Sequence, residues 1–312
     1  MILAGLAAVL FLVGGPRTDR RVAVTFDDLP GVSVIGEGPS AFASMTRKLL
    51  AAVRAAGVPA IGFVNESKLV VSGAIDPDRV ALLRLWLDAG LELGNHTWSH
   101  PDFHHTPLAQ FEADVVRGEE VTRSLLKDRG LRLRYFRHPF LHTGRDLDAK
   151  ASLETFLAGR GYTIAPVTHD NADWIFARAY AAAAGRGESE MQARVADAFV
   201  PYMEAKFDYF ERQSRALFGR EIPQVLLVHA NALNADTFGR LAAMMRRRSY
   251  RFVPLADPLA DDAYRSADTY TGPGGITWLH RWAITRGGPS LVLPGEPKAP
   301  AFVMSQANVD SE

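Results

Sequence analysis

The chain has 312 residues, 47 % of them hydrophobic, which is enough apolar side chain for one large α/β domain or two modest ones. Its 35 basic and 35 acidic residues cancel, so the charge balance points to no nucleic-acid partner. With no cysteine, disulfides, thiolate metal sites and a cysteine nucleophile are excluded, and any metal site must draw on His, Asp or Glu.

Residues 2–15 form one apolar stretch, too short to span a bilayer comfortably. It resembles the core of a secretory signal, although no Lys or Arg precedes it and no clear small-residue cleavage site follows. The expectation is a signal or anchor segment at 1–18, an exported protein in a periplasmic or extracellular setting, and no integral membrane span. From residue 20 onward, short β-like runs alternate with helical patterns. The strand candidates are 22–26, 60–64, 91–94, 134–136, 163–165, 224–228 and 250–253. Alternating strands and helices predict a mostly parallel sheet or barrel, and seven candidates suggest a barrel one unit short of eight. Thr106-Pro107 reads as a cap and first-turn proline for one amphipathic helix over 108–127. Asp146 reads as the cap of a helix over 147–158. Between 175 and 219 there is no convincing strand. Val195, Phe199, Tyr202, Met203, Lys206, Tyr209 and Phe210 keep helical spacing there, which predicts one or two long helices. Gly272-Pro273-Gly274-Gly275 is a loop without the helix and lysine of a phosphate-binding loop. The main domain is expected over 19–286, and the tail 287–312, rich in Pro and Gly, is expected to be loop-like.

Chemistry gathers at the strand ends. Asp27 and Asp28 close the first apolar run, and neighbouring residues of an extended chain face opposite ways, so two acids in series can take different roles. His96 and His100 follow the run at 91–94, four apart and stopped by Pro101. With Asp28 they make a two-histidine, one-carboxylate set, which leaves open positions for water and substrate. His104 and His105 lie just beyond and read as loop residues. Arg137 follows the run at 134–136 and can pair with Asp27, while the backbone N–H of Phe140 can serve a developing oxyanion. Asp170-Asn171-Ala172-Asp173-Trp174 follows the next run, and His229 ends the run at 224–228. A histidine oriented by a carboxylate such as Asp173 can protonate a leaving group.

In this order Thr25-Phe26-Asp27-Asp28, His96-x-x-x-His100, Arg137-x-Pro139-Phe140, Asp170-x-x-Asp173-Trp174 and Leu226-x-x-His229 resemble the five motifs of the polysaccharide deacetylases, the NodB-homology carbohydrate esterases. The resemblance spans about residues 21–255. It implies a distorted (β/α)7 barrel, here with a long helical insert before the last strands. It implies a divalent metal, usually zinc with cobalt or iron as alternatives, on Asp28, His96 and His100. It further implies Asp27 as general base and His229 as general acid, with Arg137 steadying Asp27 and Asp173 tuning His229. Phe140, Trp174 and Leu226 would meet the substrate, Leu226 through the acetyl methyl. The implied reaction is hydrolysis of N-acetyl or O-acetyl groups on a carbohydrate such as peptidoglycan or chitooligosaccharide. The alternatives are a hydrolase of small cyclic amides or formamides on the same site, or a non-catalytic carbohydrate-binding protein of the envelope. Leu29-Pro30 stands where many relatives have Gly-Pro, and is expected to alter a loop at the mouth of the site. His138 and His142 are expected to lie behind the site or at the surface.

Overall fold

The computed structural model describes residues 19–312, so the signal-like stretch at 1–18 lies outside the described residues. In chain order the elements are β1 (Arg21–Leu29), α1 (Gly38–Ala55), β2 (Ile61–Val64), β3 (Val70–Val71), β4 (Ala74–Ile75), α2 (Pro77–Asp88), β5 (Glu92–Asn95), α3 (Leu108–Arg117), α4 (Glu120–Lys127) and β6 (Tyr135–Phe136). There follow α5 (Leu147–Gly159), β7 (Thr163–Ile164), α6 (Asp173–Gly185), α7 (Ser189–Phe218), β8 (Gln224–His229), α8 (Ala232–Arg247), β9 (Arg251–Phe252), α9 (Ala256–Leu259), α10 (Trp278–Gly287) and α11 (Ala301–Ala307).

Seven strands form one parallel sheet in the order β7-β6-β5-β2-β1-β8, with β9 added at the start of β1. The sheet curls into a half-barrel with helices outside. After β7 the chain at Thr168 and His169 bonds to β8 through Val225 and Leu227, drawing the two ends of the curl together. Strand alternation sorts side chains by face. Val22, Val24 and Phe26 of β1 join Leu226 and Val228 of β8 in the core under the helices. Ala23, Ile61, Phe63, Tyr135, Ala165 and Val225 fill the concave side. Both faces are apolar for most of their length, as a covered parallel sheet requires. Each fully buried Leu or Phe contributes about 1.5–3 kcal/mol of transfer free energy.

All seven expected runs are strands of this sheet. The short hairpin β3–β4, turned at Ser72-Gly73 with φ of 51° and 83°, is an addition to the expected pattern. The expected helix over 108–127 is two helices broken at Gly118. A Cβ at Gly118 would stand 2.3 Å from the carbonyl carbon of Thr97 and 2.4 Å from the nitrogen of Trp98, so the break is where the turn after β5 rests on the helix pair. The first turn of α4 is capped by the buried Glu66, which accepts from the backbone N–H groups of Val121 and Thr122 at 3.0 and 2.7 Å. The stretch 175–219 is helical as expected, in α6 and α7. The tail at 287–312 departs from expectation: α11 packs on α6 and buries Val303 and Ala307, and Glu296 pairs with Lys206 of α7 at 2.5 Å. Two apolar residues four apart give that short helix a face, which Pro and Gly on either side concealed. Among the described residues, no helix is long and apolar enough to cross a membrane.

Candidate active site

Asp27 lies on the concave side near the end of β1, with 2 % of its surface exposed. The Nη1 group of Arg137 donates to both of its carboxylate oxygens at 3.1 Å. Arg137 is fully buried and pinned from three directions. Its Nε donates to the carbonyl of Ala165 at 2.8 Å, its Nη2 donates to the hydroxyl of Thr25 at 3.1 Å, and its guanidinium lies 4.6 Å from the centroid of Phe63. Burial pushes the Asp27 carboxyl up more strongly than Arg137 and His229 pull it down, so it is more basic than an ordinary carboxylate.

Asp28 turns the other way. It adopts φ of 69° at an irregularity in the β1–β2 register. Its donor oxygen and one ring nitrogen each from His96 and His100 lie within 4.8 Å of one another. The Nδ1 of His96 is 2.8 Å from the carbonyl of Arg137 and donates to it, which leaves Nε2 as the free lone pair on the site side. Burial lowers His96 to about 3, and burial together with His96 lowers His100 to about 4, so both rings are neutral. Burial pushes the Asp28 carboxyl up, but Lys68 at 2.9 Å and the nearby histidines outweigh it and hold it well below the usual range. The oxygen that faces the site, Oδ1, lies 2.9 Å from Lys68 Nζ and 3.9 Å from His100 Nε2. An ionised carboxylate oxygen beside two neutral imidazoles is a donor set that fits a divalent cation.

The turn that delivers His100 is braced from behind. Thr97 and His100 both have positive φ, 69° and 60°. Asn95 accepts from the N–H of Thr97 at 2.6 Å, and the Thr97 hydroxyl accepts from the N–H of His100 at 3.0 Å. Asp114 of α3 accepts from the N–H groups of Trp98 and Ser99 at 2.8 and 2.9 Å. These bonds offset the strain of left-handed backbone at non-glycine residues.

His229 closes the site from β8. It is the register partner of Asp27, one strand away. Asp173, fully buried at the start of α6, accepts from His229 twice, through the ring Nδ1 at 2.7 Å and the backbone N–H at 2.8 Å. Asn234 adds a third donor to that carboxylate at 2.8 Å. Burial opposes a charge on His229, but Asp173 and the two acids of β1 raise it to about 9.

Two expected contacts lie elsewhere. Leu226 is fully buried in the core under the helices, not in the site. Alternation along β8 puts its neighbour Leu227 on the side of His229, and Leu227 pairs with Thr25 just as His229 pairs with Asp27. Leu29 does not shape the mouth. It is fully buried, and its side chain fills the place where a Cβ on Gly62 would lie, 2.5 Å from its Cδ2. Phe140 and Trp174 do stand exposed, by 53 % and 41 %. The Phe140 ring meets that of His100 edge-on, with centroids 4.5 Å apart. Its backbone is left-handed, with φ of 55°. The Phe140 loop is held from the C-terminal part of the chain. Arg281 of α10 donates to the carbonyl of Leu141 at 3.2 Å and to the hydroxyl of Thr143. Gly275 crosses so close that a Cβ there would be 1.7 Å from the Phe140 carbonyl oxygen. Lys68, Asp114 and Arg281 each reach the site from a distant stretch of chain, and no local motif announces them.

A model of the family described as "Polysaccharide deacetylase" matches residues 14–155, which carry Asp27, Asp28, His96, His100 and Arg137. Over that stretch, a little under half of its length, the chain is similar to that family. Its members are typically metal-dependent carbohydrate deacetylases. No curated protein matches the chain. Among solved structures it is similar to the wild-type BA3943 of Bacillus anthracis, described as a CE4 family pseudoenzyme, at 12 % identity and a TM-score of 0.50, covering 77 % of this chain and 66 % of that one. A mutant of that pseudoenzyme with restored activity gives 14 % identity and a TM-score of 0.51, covering 77 % of this chain and 68 % of that one. The Bc1960 peptidoglycan N-acetylglucosamine deacetylase gives 17 % identity and a TM-score of 0.50, covering 78 % and 90 %. At these identities the likeness establishes the fold, an α/β half-barrel shared with the family's deacetylases and with a pseudoenzyme alike.

Proposed function

We propose that this protein hydrolyses N-acetyl groups, and by the same route O-acetyl groups, on a carbohydrate polymer. The observation that carries the reading is the register pairing of Asp27 with His229 across β1 and β8, which sets a basic carboxylate and a protonated imidazole side by side. The Asp28, His96 and His100 donors lie alongside, with His96 Nε2 3.8 Å from Asp27 Oδ2. When bound on those donors, a divalent ion, for which we propose zinc, supplies Lewis-acid polarisation of the acetyl carbonyl.

Asp27 takes the proton of the attacking water. Burial makes it basic enough to do so, and Arg137 fixes the direction in which its oxygens point. His229 gives its proton to the departing nitrogen. Asp173 occupies Nδ1, which leaves the Nε2 proton for transfer. An amine leaves less readily than an alcohol, so His229 matters more for amides than for esters. The Phe140 N–H donates to the developing oxyanion, and one such donor contributes about 3 kcal/mol to transition-state stabilisation. Leu227 takes the apolar contact earlier expected of Leu226, and the exposed rings of Phe140 and Trp174 offer faces to a pyranose. Export, suggested by the apolar residues 2–15, would bring the enzyme to envelope or external glycans, and cell fractionation tests it.

The peptidoglycan deacetylase among the structural neighbours makes peptidoglycan and acetylated chitooligosaccharides the first substrates to try. The measurement is acetate release after metal removal and after zinc restoration. Release that vanishes and returns supports the reading. No acetate from any glycan with zinc restored overturns it, and places the chain with the pseudoenzyme. Turnover of small cyclic amides alone moves the substrate class.

A further inference from the structure

We propose that Asp102, His104 and His142 form a second divalent-cation site, separate from the set on Asp28, His96 and His100. One donor atom from each of the three lies within 4.8 Å of the others, and among the described residues only these two groups meet that condition. The second group plays no part in the chemistry derived above. Asp102 and His104 come from the loop after Pro101, and His142 from the loop after Phe140, so the cluster joins the two loops that rim the site.

The present arrangement is that of a cation site held shut by hydrogen bonds. His142 Nδ1 lies 2.6 Å from Asp102 Oδ1, and the rings of His104 and His142 stack 3.8 Å apart at 5°. A shared proton thus joins two of the three donors. An ion taking its place needs the His104 ring to rotate out of the stack, because a ligand lone pair lies in the plane of its ring. The supporting shell is already built. His105 Nδ1 lies 2.7 Å from the other oxygen of Asp102, and the N–H of His104 donates to Asp102 at 2.8 Å, so the carboxylate is oriented from both sides. Asp102 and His142 are partly exposed, which opens the cluster to solvent. Two imidazoles and a carboxylate suit zinc, cobalt or nickel, with positions left for water. The Phe140 ring lies 4.5 Å from the ring of His100 and 5.8 Å from that of His142, so an ion here would stiffen the aromatic wall between the two groups.

The test is metal counting on the full chain after zinc loading and dialysis, by mass spectrometry. The unaltered protein is expected to retain two ions, the His104→Ala/His142→Ala variant one, and the His96→Ala/His100→Ala variant one. Zinc absent from the His96→Ala/His100→Ala variant overturns the proposal. Because that variant could fold poorly, a cobalt titration of the unaltered protein followed by visible absorption gives an independent count. A second binding step, lost in His104→Ala/His142→Ala, supports the site, and a single step overturns it. The count for His104→Ala/His142→Ala reads the first set separately, so failure here leaves the deacetylase reading untouched.

Discussion

At the floor of the site, Asp27, Arg137, Asp173 and His229 are buried or nearly so and joined by ion pairs of 3.1 and 2.7 Å. At its rim, Asp28, Thr97, His100 and Phe140 stand at φ of 69°, 69°, 60° and 55°, a backbone region that side-chain-bearing residues rarely enter. The floor is fixed by complementary charge, the rim by backbone strain that distant residues brace. Conservative changes at the floor should therefore alter chemistry and spare the fold. Changes beneath the rim should alter shape first, and chemistry through it.

The sharpest way to break this contrast is Asp27→Asn. It keeps the shape that faces Arg137 and removes the proton acceptor, so the catalytic rate should fall by about 10²- to 10⁴-fold. The chain should still fold, with a lowered melting temperature because the buried Arg137 loses its counter-charge. Loss of folding along with the rate would mean that the floor is structural, and near-full activity would remove Asp27 from the role of base. Beneath the rim, Gly118→Ala should cost about 1–3 kcal/mol, read as a lower denaturant midpoint, because the new Cβ collides with Thr97 and Trp98 backbone. Metal affinity should weaken with it, since the displaced turn carries His100. An unchanged midpoint would show that the turn yields freely.

Asp173→Asn probes the floor more gently. His229 must be protonated to act as acid, and its raised value near 9 keeps it so through neutral pH. Without the negative partner, the alkaline limb of the rate profile should move down by about 2 units, toward the ordinary histidine value near ~6.5. The same pair stabilises the fold fully below the unfolded histidine value and loses that contribution as pH rises through about 9. Melting curves at both ends of that window check the sign, and the variant should show a flatter dependence. The smallest effect is expected from Trp174→Ala, a rise in KM of about two- to tenfold with little change in kcat, measured on an oligosaccharide.

Much of this was legible in the chain itself, and for a physical reason. A parallel sheet buries both faces, so its strands read as short apolar runs, and the polar residue that ends each run stands out. Asp27, Arg137 and His229 are such residues. What alternation alone cannot settle is which of two adjacent leucines faces the site. Leu226 and Leu227 differ by one step, and one step exchanges the faces of a strand. Leu29 misleads for a related reason, since a residue next to the acid pair in sequence lies under the sheet in space. The break at Gly118 was hidden because the apolar spacing continues across it, and its cause is a contact with Thr97 and Trp98, some twenty residues earlier. Bracing by Asp114 and Lys68 is likewise long-range and leaves no local mark.

Arg281 and Gly275 lie well beyond the residues that the family model matches, yet they hold the loop that presents Phe140. Anyone trimming the chain to a minimal barrel for expression or crystallisation would be inclined to stop after β9. That fragment would keep every residue assigned a chemical role here and lose the fastening of the oxyanion loop. It should bind metal and turn over poorly, and could be mistaken for an inactive homologue.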